Sequence, residues 1–205
     1  MSDSVKAHGS RLTAHGSKLA FTLNGRPVSM HVEPQELLLD VLRERLGLTG
    51  AKRSCDVQVC GTCTVLLNNE PISSCCTLAA DVAGRDVLTI EGLAELEEFH
   101  ALEQAFVRHA ALQCGFCTPG MLLTVKALLD AGELHPEDED LKHSLSGNLC
   151  RCTGYRGILE AVRELAGYPA EGLGDPAEGL GDPAEGLGDP GGALWACLGV
   201  AGEVA

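Results

Sequence analysis

The sequence predicts an α+β protein in two parts, a strand-rich first half followed by an all-α second half of four helices. Three observations carry that expectation. Between Lys18 and Ile90, short strand-like runs surround a single helical stripe. From Leu93 the apolar spacing lengthens to the period of a helix. Eight of the ten cysteines fall in two tight groups, one in each half.

The elements follow in order. Lys18 to Val32 alternates, with Leu19, Phe21 and Leu23 before Asn24-Gly25 and Val28, Met30 and Val32 after it, a hairpin pattern. Pro34 stands at a helix start, Leu37, Leu38, Val41, Leu42 and Leu46 make an apolar stripe, and Gly47 ends it. A Gly- and Cys-rich loop spans Gly50 to Cys63. Strand-like runs then cover Thr64 to Leu67, Pro71 to Cys75 and Val87 to Ile90. In the second half, Leu96, Phe99, Leu102, Phe106 and Val107 share one helix face. A second helix takes Thr118 as N-cap and Pro119 as its first residue and ends at Gly132. A third fits Pro136 to Leu145, with acidic residues in its first turn, and a fourth fits Tyr155 to Ala166. Four helices with short connections form a bundle.

The boundaries expected are an N-terminal extension over 1–16, the first unit over 17–92, the helical unit over 93–167 and a tail over 168–205. The extension is expected to be disordered. Its AHGSRL (Ala7 to Leu12) nearly repeats in AHGSKL (Ala14 to Leu19), with no function assigned to the first copy. In the tail, Pro-Ala-Glu-Gly-Leu-Gly-Asp occurs three times from Pro169 to Asp189, each copy with one Pro and two Gly, a composition for a flexible acidic linker and not a coiled coil. Trp195 and Cys197 lie in its apolar end.

Composition removes several functions. With 15 Lys and Arg against 29 Asp and Glu, the net charge is −14, which opposes binding to nucleic-acid phosphates. Aromatic residues are 3%, too few for base-stacking platforms. No apolar run reaches the roughly 20 residues of a membrane span, and the N-terminus carries no secretory signal. A cytoplasmic location is expected, where clustered cysteines bind metal or do redox chemistry in preference to forming disulfides.

The cysteine spacings narrow this further. Cys55-x4-Cys60-x2-Cys63, with Cys75 eleven residues on, is the plant-type spacing for a 2Fe-2S cluster. A tight loop presents three thiolates at once, and Gly61 lets the backbone pass close to inorganic sulfide. A structural zinc site, the alternative, uses paired C-x2-C knuckles. Cys75 and Cys76 are adjacent, so in an extended strand only one faces the metal. The second group joins Cys114-Gly-Phe-Cys117 to Cys150-Arg-Cys152. C-x2-C alone also suits zinc or a thioredoxin-like pair. C-x-C, however, strains a mononuclear tetrahedral site, and both pairs lead into helices whose N-termini stabilise an anionic cluster.

The blocks AKRSCDVQVCGTCTV, SSCCTLA, QCGFCTPGM and GNLCRCTGYRGILEAV, in this order, closely resemble the small iron-sulfur subunit of the molybdenum hydroxylases, a family that includes xanthine dehydrogenase, aldehyde oxidoreductase, aerobic carbon monoxide dehydrogenase and 4-hydroxybenzoyl-CoA reductase. The resemblance covers Leu19 to Ala166. It implies a β-grasp ferredoxin-like domain, then a four-helix domain, each with one 2Fe-2S cluster. By the same resemblance, Cys55, Cys60, Cys63 and Cys75 correspond to ligands of the ferredoxin-like cluster. Cys114, Cys117, Cys150 and Cys152 correspond to ligands of the cluster nearest the molybdenum cofactor. Gln113 matches a glutamine that hydrogen-bonds the pterin, although without the resemblance it reads as an ordinary polar helix-end residue. Cys76 falls at an apolar position and is expected to be a buried, inert thiol. Many relatives have Gly where this chain has Ser54 and Gln58, so the loop is expected to differ locally if those glycines take positive φ.

The function implied is electron transfer within a molybdenum hydroxylase complex. Single electrons pass from molybdopterin on a large subunit through the bundle cluster and then the ferredoxin-like cluster to FAD on a medium subunit, or to a haem protein. No dinucleotide fingerprint or hydrolytic constellation competes with this, and the seven His read as solvated or capping residues. A freestanding two-cluster ferredoxin-like carrier and a zinc-stabilised interaction module are the alternatives.

Overall fold

The computed structural model describes residues 16–132 and 138–168. The repeats, Trp195, Cys197 and the N-terminal extension up to residue 15 lie outside the described residues, as does the start of the expected third helix.

β1 (Ser17–Leu23) and β2 (Arg26–Val32) form the antiparallel hairpin, with Ser17 opposite Val32 and Leu23 opposite Arg26. Asn24 and Gly25 take φ of 50° and 74°, the left-handed pair that lets a two-residue turn follow the twist of its strands. The turn is tied to the end of the strand that runs beside β1 on its other edge. Asn24 N–H donates to the Val87 carbonyl, and Thr89 N–H donates to Asn24 Oδ1, both at 2.9 Å.

The helix after Pro34 is α1 (Leu38–Asp40), which widens into one π-type turn over Val41–Arg45. The sequence predicts a regular helix there. Instead Leu46 N–H reaches back five residues to the Val41 carbonyl at 3.1 Å. Leu38, Leu39, Val41 and Leu42, at positions i, i+1, i+3 and i+4 of one helical face, all leave solvent completely.

β3 (Thr64–Leu67), β4 (Glu70–Ser73) and β5 (Asp86–Leu88) complete a five-stranded mixed sheet in the order β2-β1-β5-β3-β4. Only β1 and β5 pair in parallel. With α1 packed on one face, this is the β-grasp arrangement. The last strand ends earlier than its apolar run predicts, because Ile90 begins α2 (Ile90–Leu93).

The second half holds α3 (Phe99–Arg108), α4 (Thr118–Ala131), α5 (Asp138–Ser144) and α6 (Arg156–Leu165). Cys117, not Thr118, occupies the N-cap position of α4, and Gly132 closes that helix with φ of 66°. Ten consecutive residues of α4, Thr118 to Ala127, are buried, so it is the central helix of the bundle. Leu96 and Val107, expected on the core face of α3, are 40% and 42% exposed. Leu96 precedes the helix, and Val107 lies a full 100° step round from buried Phe106.

β3 joins the two halves. Val65 and Leu67 point into the core against α1, whereas Leu66 belongs to the helical core with Ile90, Leu93, Phe106 and Met121. That division explains why all four of its residues are buried. No described helix is long and apolar enough to cross a membrane.

Candidate metal centres

The first centre lies in the loop between α1 and β3. Arg43, in the π-type turn, fixes that loop by donating to the Thr49 and Ala51 carbonyls at 2.9 and 2.8 Å. Glu91 accepts the Gly50 N–H at 2.8 Å. Within the loop Asp56, Gln58 and Gly61 all have positive φ, of 53°, 58° and 68°. Left-handed residues alternating with ordinary ones turn successive N–H groups inward, as in an anion nest. Their target is Cys55. The N–H groups of Val57, Val59 and Cys60, with the Cys60 thiol, bring the Cys55 thiol down to about 6. Val59 N–H lies 3.4 Å from its sulfur. Gln58 thus holds a left-handed conformation that a glycine adopts without strain.

Cys60, Cys63 and Cys75 are buried and Cys55 is half-buried. Burial, with the neighbouring Cys75 thiol, pushes Cys63 up to about 12. Ser74 Oγ donates to the Cys63 carbonyl at 2.7 Å and keeps the two chain segments together.

Cys76 departs from expectation. It is exposed, and its sulfur lies 3.6 Å from that of Cys75, on the same side of the chain. The alternation of an extended strand does not apply, because β4 ends at Ser73 and a turn follows. Cys76 N–H donates to the Ser73 carbonyl at 3.1 Å.

The second centre is built at two helix starts. Cys114 and Cys117 precede α4, and Cys150 and Cys152 precede α6. Cys114 and Cys152 are exposed with sulfurs 3.6 Å apart, while Cys117 is half-buried and Cys150 buried. Burial, then the Cys150 thiol beside it, pushes Cys117 up to about 12. Burial also raises Cys150, but the hydroxyl and N–H of Thr153 and the N–H of Cys152 outweigh it and leave that thiol lowered. Tyr155 ties the loop: its hydroxyl accepts from Cys150 N–H at 2.8 Å and donates to the Asn148 carbonyl at 2.9 Å. Gln113 is exposed beside Cys114.

The two centres touch through backbone. Leu149 N–H donates to the Cys60 carbonyl at 2.8 Å, and Asn148 Nδ2 donates to the Gly61 carbonyl at 3.3 Å. Glycines make the approach possible. A Cβ on Gly61 would meet the Gly147 carbonyl at 2.3 Å, and one on Gly120 would meet the Gly61 carbonyl at 2.2 Å. Neither Asn148 nor Tyr155 stands out in the sequence as part of a site, although both sit in the block around Cys150.

The thiols suit a dinuclear cluster. Cys55 and Cys60 interact, as do Cys63 and Cys75, Cys114 and Cys152, and Cys117 and Cys150. Two thiolates on one tetrahedral metal, at about 2.3 Å each, lie roughly 3.8 Å apart. The Cys114 and Cys152 sulfurs, 3.6 Å apart, meet that spacing. Among the described residues, no three Cys, His, Asp or Glu side chains gather as a single ion requires.

Residues 21–88 match the family model of the 2Fe-2S iron-sulfur cluster binding domain, and residues 89–163 match that of the 2Fe-2S binding domain. The nicotinate dehydrogenase small FeS subunit of Eubacterium barkeri is 49% identical over 141 residues, covering 69% of this chain and 89% of that one. The nicotine 6-hydroxylase small subunit of Paenarthrobacter nicotinovorans is 46% identical, covering 71% and 87%. The chain belongs to the family of small iron-sulfur subunits of the molybdenum hydroxylases. Solved structures agree with that. A chain of quinoline 2-oxidoreductase from Pseudomonas putida matches this small subunit with a TM-score of 0.69 and 44% identity, over 74% of this chain and 93% of that one. Aldehyde oxidoreductase from Desulfovibrio gigas matches with a TM-score of 0.64 and 36% identity, over 74% of this chain but 17% of the longer one. The small subunit is an electron-transfer component with two 2Fe-2S-binding domains.

Proposed function

We propose that Cys55, Cys60, Cys63 and Cys75 hold one cluster and Cys114, Cys117, Cys150 and Cys152 the other, and that the subunit relays electrons from the exposed Cys114/Cys152 rim to the Cys55 rim. A bound 2Fe-2S cluster supplies one-electron redox chemistry. The observation that carries the relay is the hydrogen bond from Leu149 N–H to the Cys60 carbonyl, which joins a residue adjacent to one ligand directly to a ligand of the other centre. The protein's own groups do the rest. The Cys55 loop aims N–H donors at sulfur, Thr153 does the same at Cys150, and Asn148 with Tyr155 holds the two loops in register.

The surface supports partners at both ends. Phe116 and Leu149 are exposed near the second centre, and Val57 and Val59 flank Cys55 in the first. Apolar side chains grouped in this way favour burial against another chain over a freestanding carrier. A large molybdopterin-binding subunit fits the Cys114 end, with Gln113 reaching the pterin. A medium FAD-binding subunit, or a haem protein, fits the Cys55 end. The relatives named as dehydrogenase and hydroxylase subunits favour the same reading; a cytoplasmic location, one unit over 17–92 and the next over 93–167 are parts of the proposal.

Iron, sulfide and zinc analysis of the anaerobically purified chain, with EPR after dithionite reduction, tests the ligand sets. About four irons and two 2Fe-2S signals are expected. Zinc without iron overturns the reading. A monodisperse monomer that never co-purifies with a molybdopterin-binding chain overturns the assignment to a complex.

A further inference from the structure

We propose that Cys76 is an alternative fourth ligand of the ferredoxin-like centre, able to take the place of Cys75. This rests on the ligand set proposed above. Cys76 is a fifth thiol in this part of the chain, next to the four proposed ligands. The Cys76 sulfur is 3.6 Å from that of Cys75, close to the spacing of two thiolates that share one metal. The same sulfur approaches the Asp56 carbonyl at 3.8 Å, which sets it against the Cys55 loop as well.

The turn that presents it is firm. Cys76 N–H and Thr77 Oγ1 both donate to the Ser73 carbonyl, at 3.1 and 3.0 Å. Cys75 and Cys76 therefore leave one short turn side by side, and exchanging one for the other needs side-chain rotation, not a new backbone path. The exchange is a ligand substitution without electron transfer. The iron bond to Cys75 sulfur breaks, the bond to Cys76 sulfur forms, Cys76 gives up a proton to solvent, and Cys75 takes one up.

The test compares the full chain with Cys75→Ala, Cys76→Ala and the double variant, each purified anaerobically and read by iron and sulfide content and EPR. If the unsubstituted chain lacks two 2Fe-2S signals, the ligand sets themselves fail before the variants are compared. Given both signals, Cys75→Ala is expected to retain the ferredoxin-like cluster with shifted g-values. The double variant is expected to lose about two irons and that signal. In both, the bundle signal reports an intact fold. Loss of the ferredoxin-like cluster in Cys75→Ala alone overturns the proposal, as does its retention in the double variant. Should Cys75→Ala fail to fold, Cys75→Ser decides. A spectrum of all-sulfur ligation that turns to mixed oxygen ligation only when Cys76 is also removed supports the exchange. Mixed ligation in Cys75→Ser alone refutes it.

Discussion

Single backbone angles govern the ferredoxin-like loop. Gln58 sits at φ of 58°, a left-handed position that costs an L-residue on the order of 1–2 kcal/mol. Gln58→Gly removes that strain at the cost of a more flexible unfolded chain, and should raise stability by about 1 kcal/mol, read as a higher denaturant midpoint at unchanged slope. Gly61→Ala acts in the opposite sense. It meets the same left-handed penalty at φ of 68° and drives a Cβ to 2.3 Å from the Gly147 carbonyl. It should abolish iron binding at the first centre and weaken the second, because the clash falls on the segment that carries Cys150. Ser54 and Gln58 are visible in the sequence as departures from glycine. Whether the loop keeps its shape was not legible there, because an N–H nest depends on the angles of several residues together.

At the scale of elements, side chains remote from the sulfurs position the loops. Arg43 reaches from the π-type turn to two loop carbonyls, and hydrogen bonds from a charged donor are each worth about 1.5–3 kcal/mol. Arg43→Met should destabilise the protein by roughly 2 kcal/mol and hasten iron loss from the first centre under chelator, with the bundle signal unaffected. Tyr155→Phe should act mainly on the other centre. It strands Cys150 N–H and the Asn148 carbonyl, costs about 1–3 kcal/mol, and broadens the bundle cluster's EPR signal. Strong local signals made most elements legible: Asn24-Gly25 for the hairpin, Gly132 for the end of α4, and the apolar period of α6. The π-type turn was not, because the apolar spacing from Leu37 to Leu46 is that of an ordinary helix and does not show that the Leu46 N–H reaches back five residues. Nor was the exposure of Cys76, since sequence alternation holds only while a strand continues.

Across the whole molecule, α3 and α6 are clamped by a charged network around His109, which sits at the C-cap of α3 with its side chain buried; the reading of each His as solvated or capping leaves out that ion-pair role. The His109 side chain is 8% exposed, with Nε2 2.6 Å from a Glu164 oxygen, and Arg108 pairs with the other Glu164 oxygen. Partial burial raises the Glu164 carboxyl, but Arg108 and His109 outweigh it and hold that group below its usual value of 4.5. A carboxylate depressed on folding contributes stability that is complete above its unfolded pKa and is lost as pH falls through the folded one. The Glu164 contribution to the α3–α6 clamp should therefore weaken below about pH 4.5, and Glu164→Gln should flatten that part of the acid-unfolding curve. The effect is on the order of 1 kcal/mol or less, because the pair is partly solvated. The two cysteine groups were legible as separate motifs; their backbone contact was not, because residues 60 and 149 meet only through tertiary packing. β3 carries a last consequence. One strand supplies Val65 and Leu67 to one core and Leu66 to the other, so a cut at the domain junction leaves each piece with an unfinished interior. Neither half is a transplantable module, and calorimetry of the intact chain should record one melting transition in place of two.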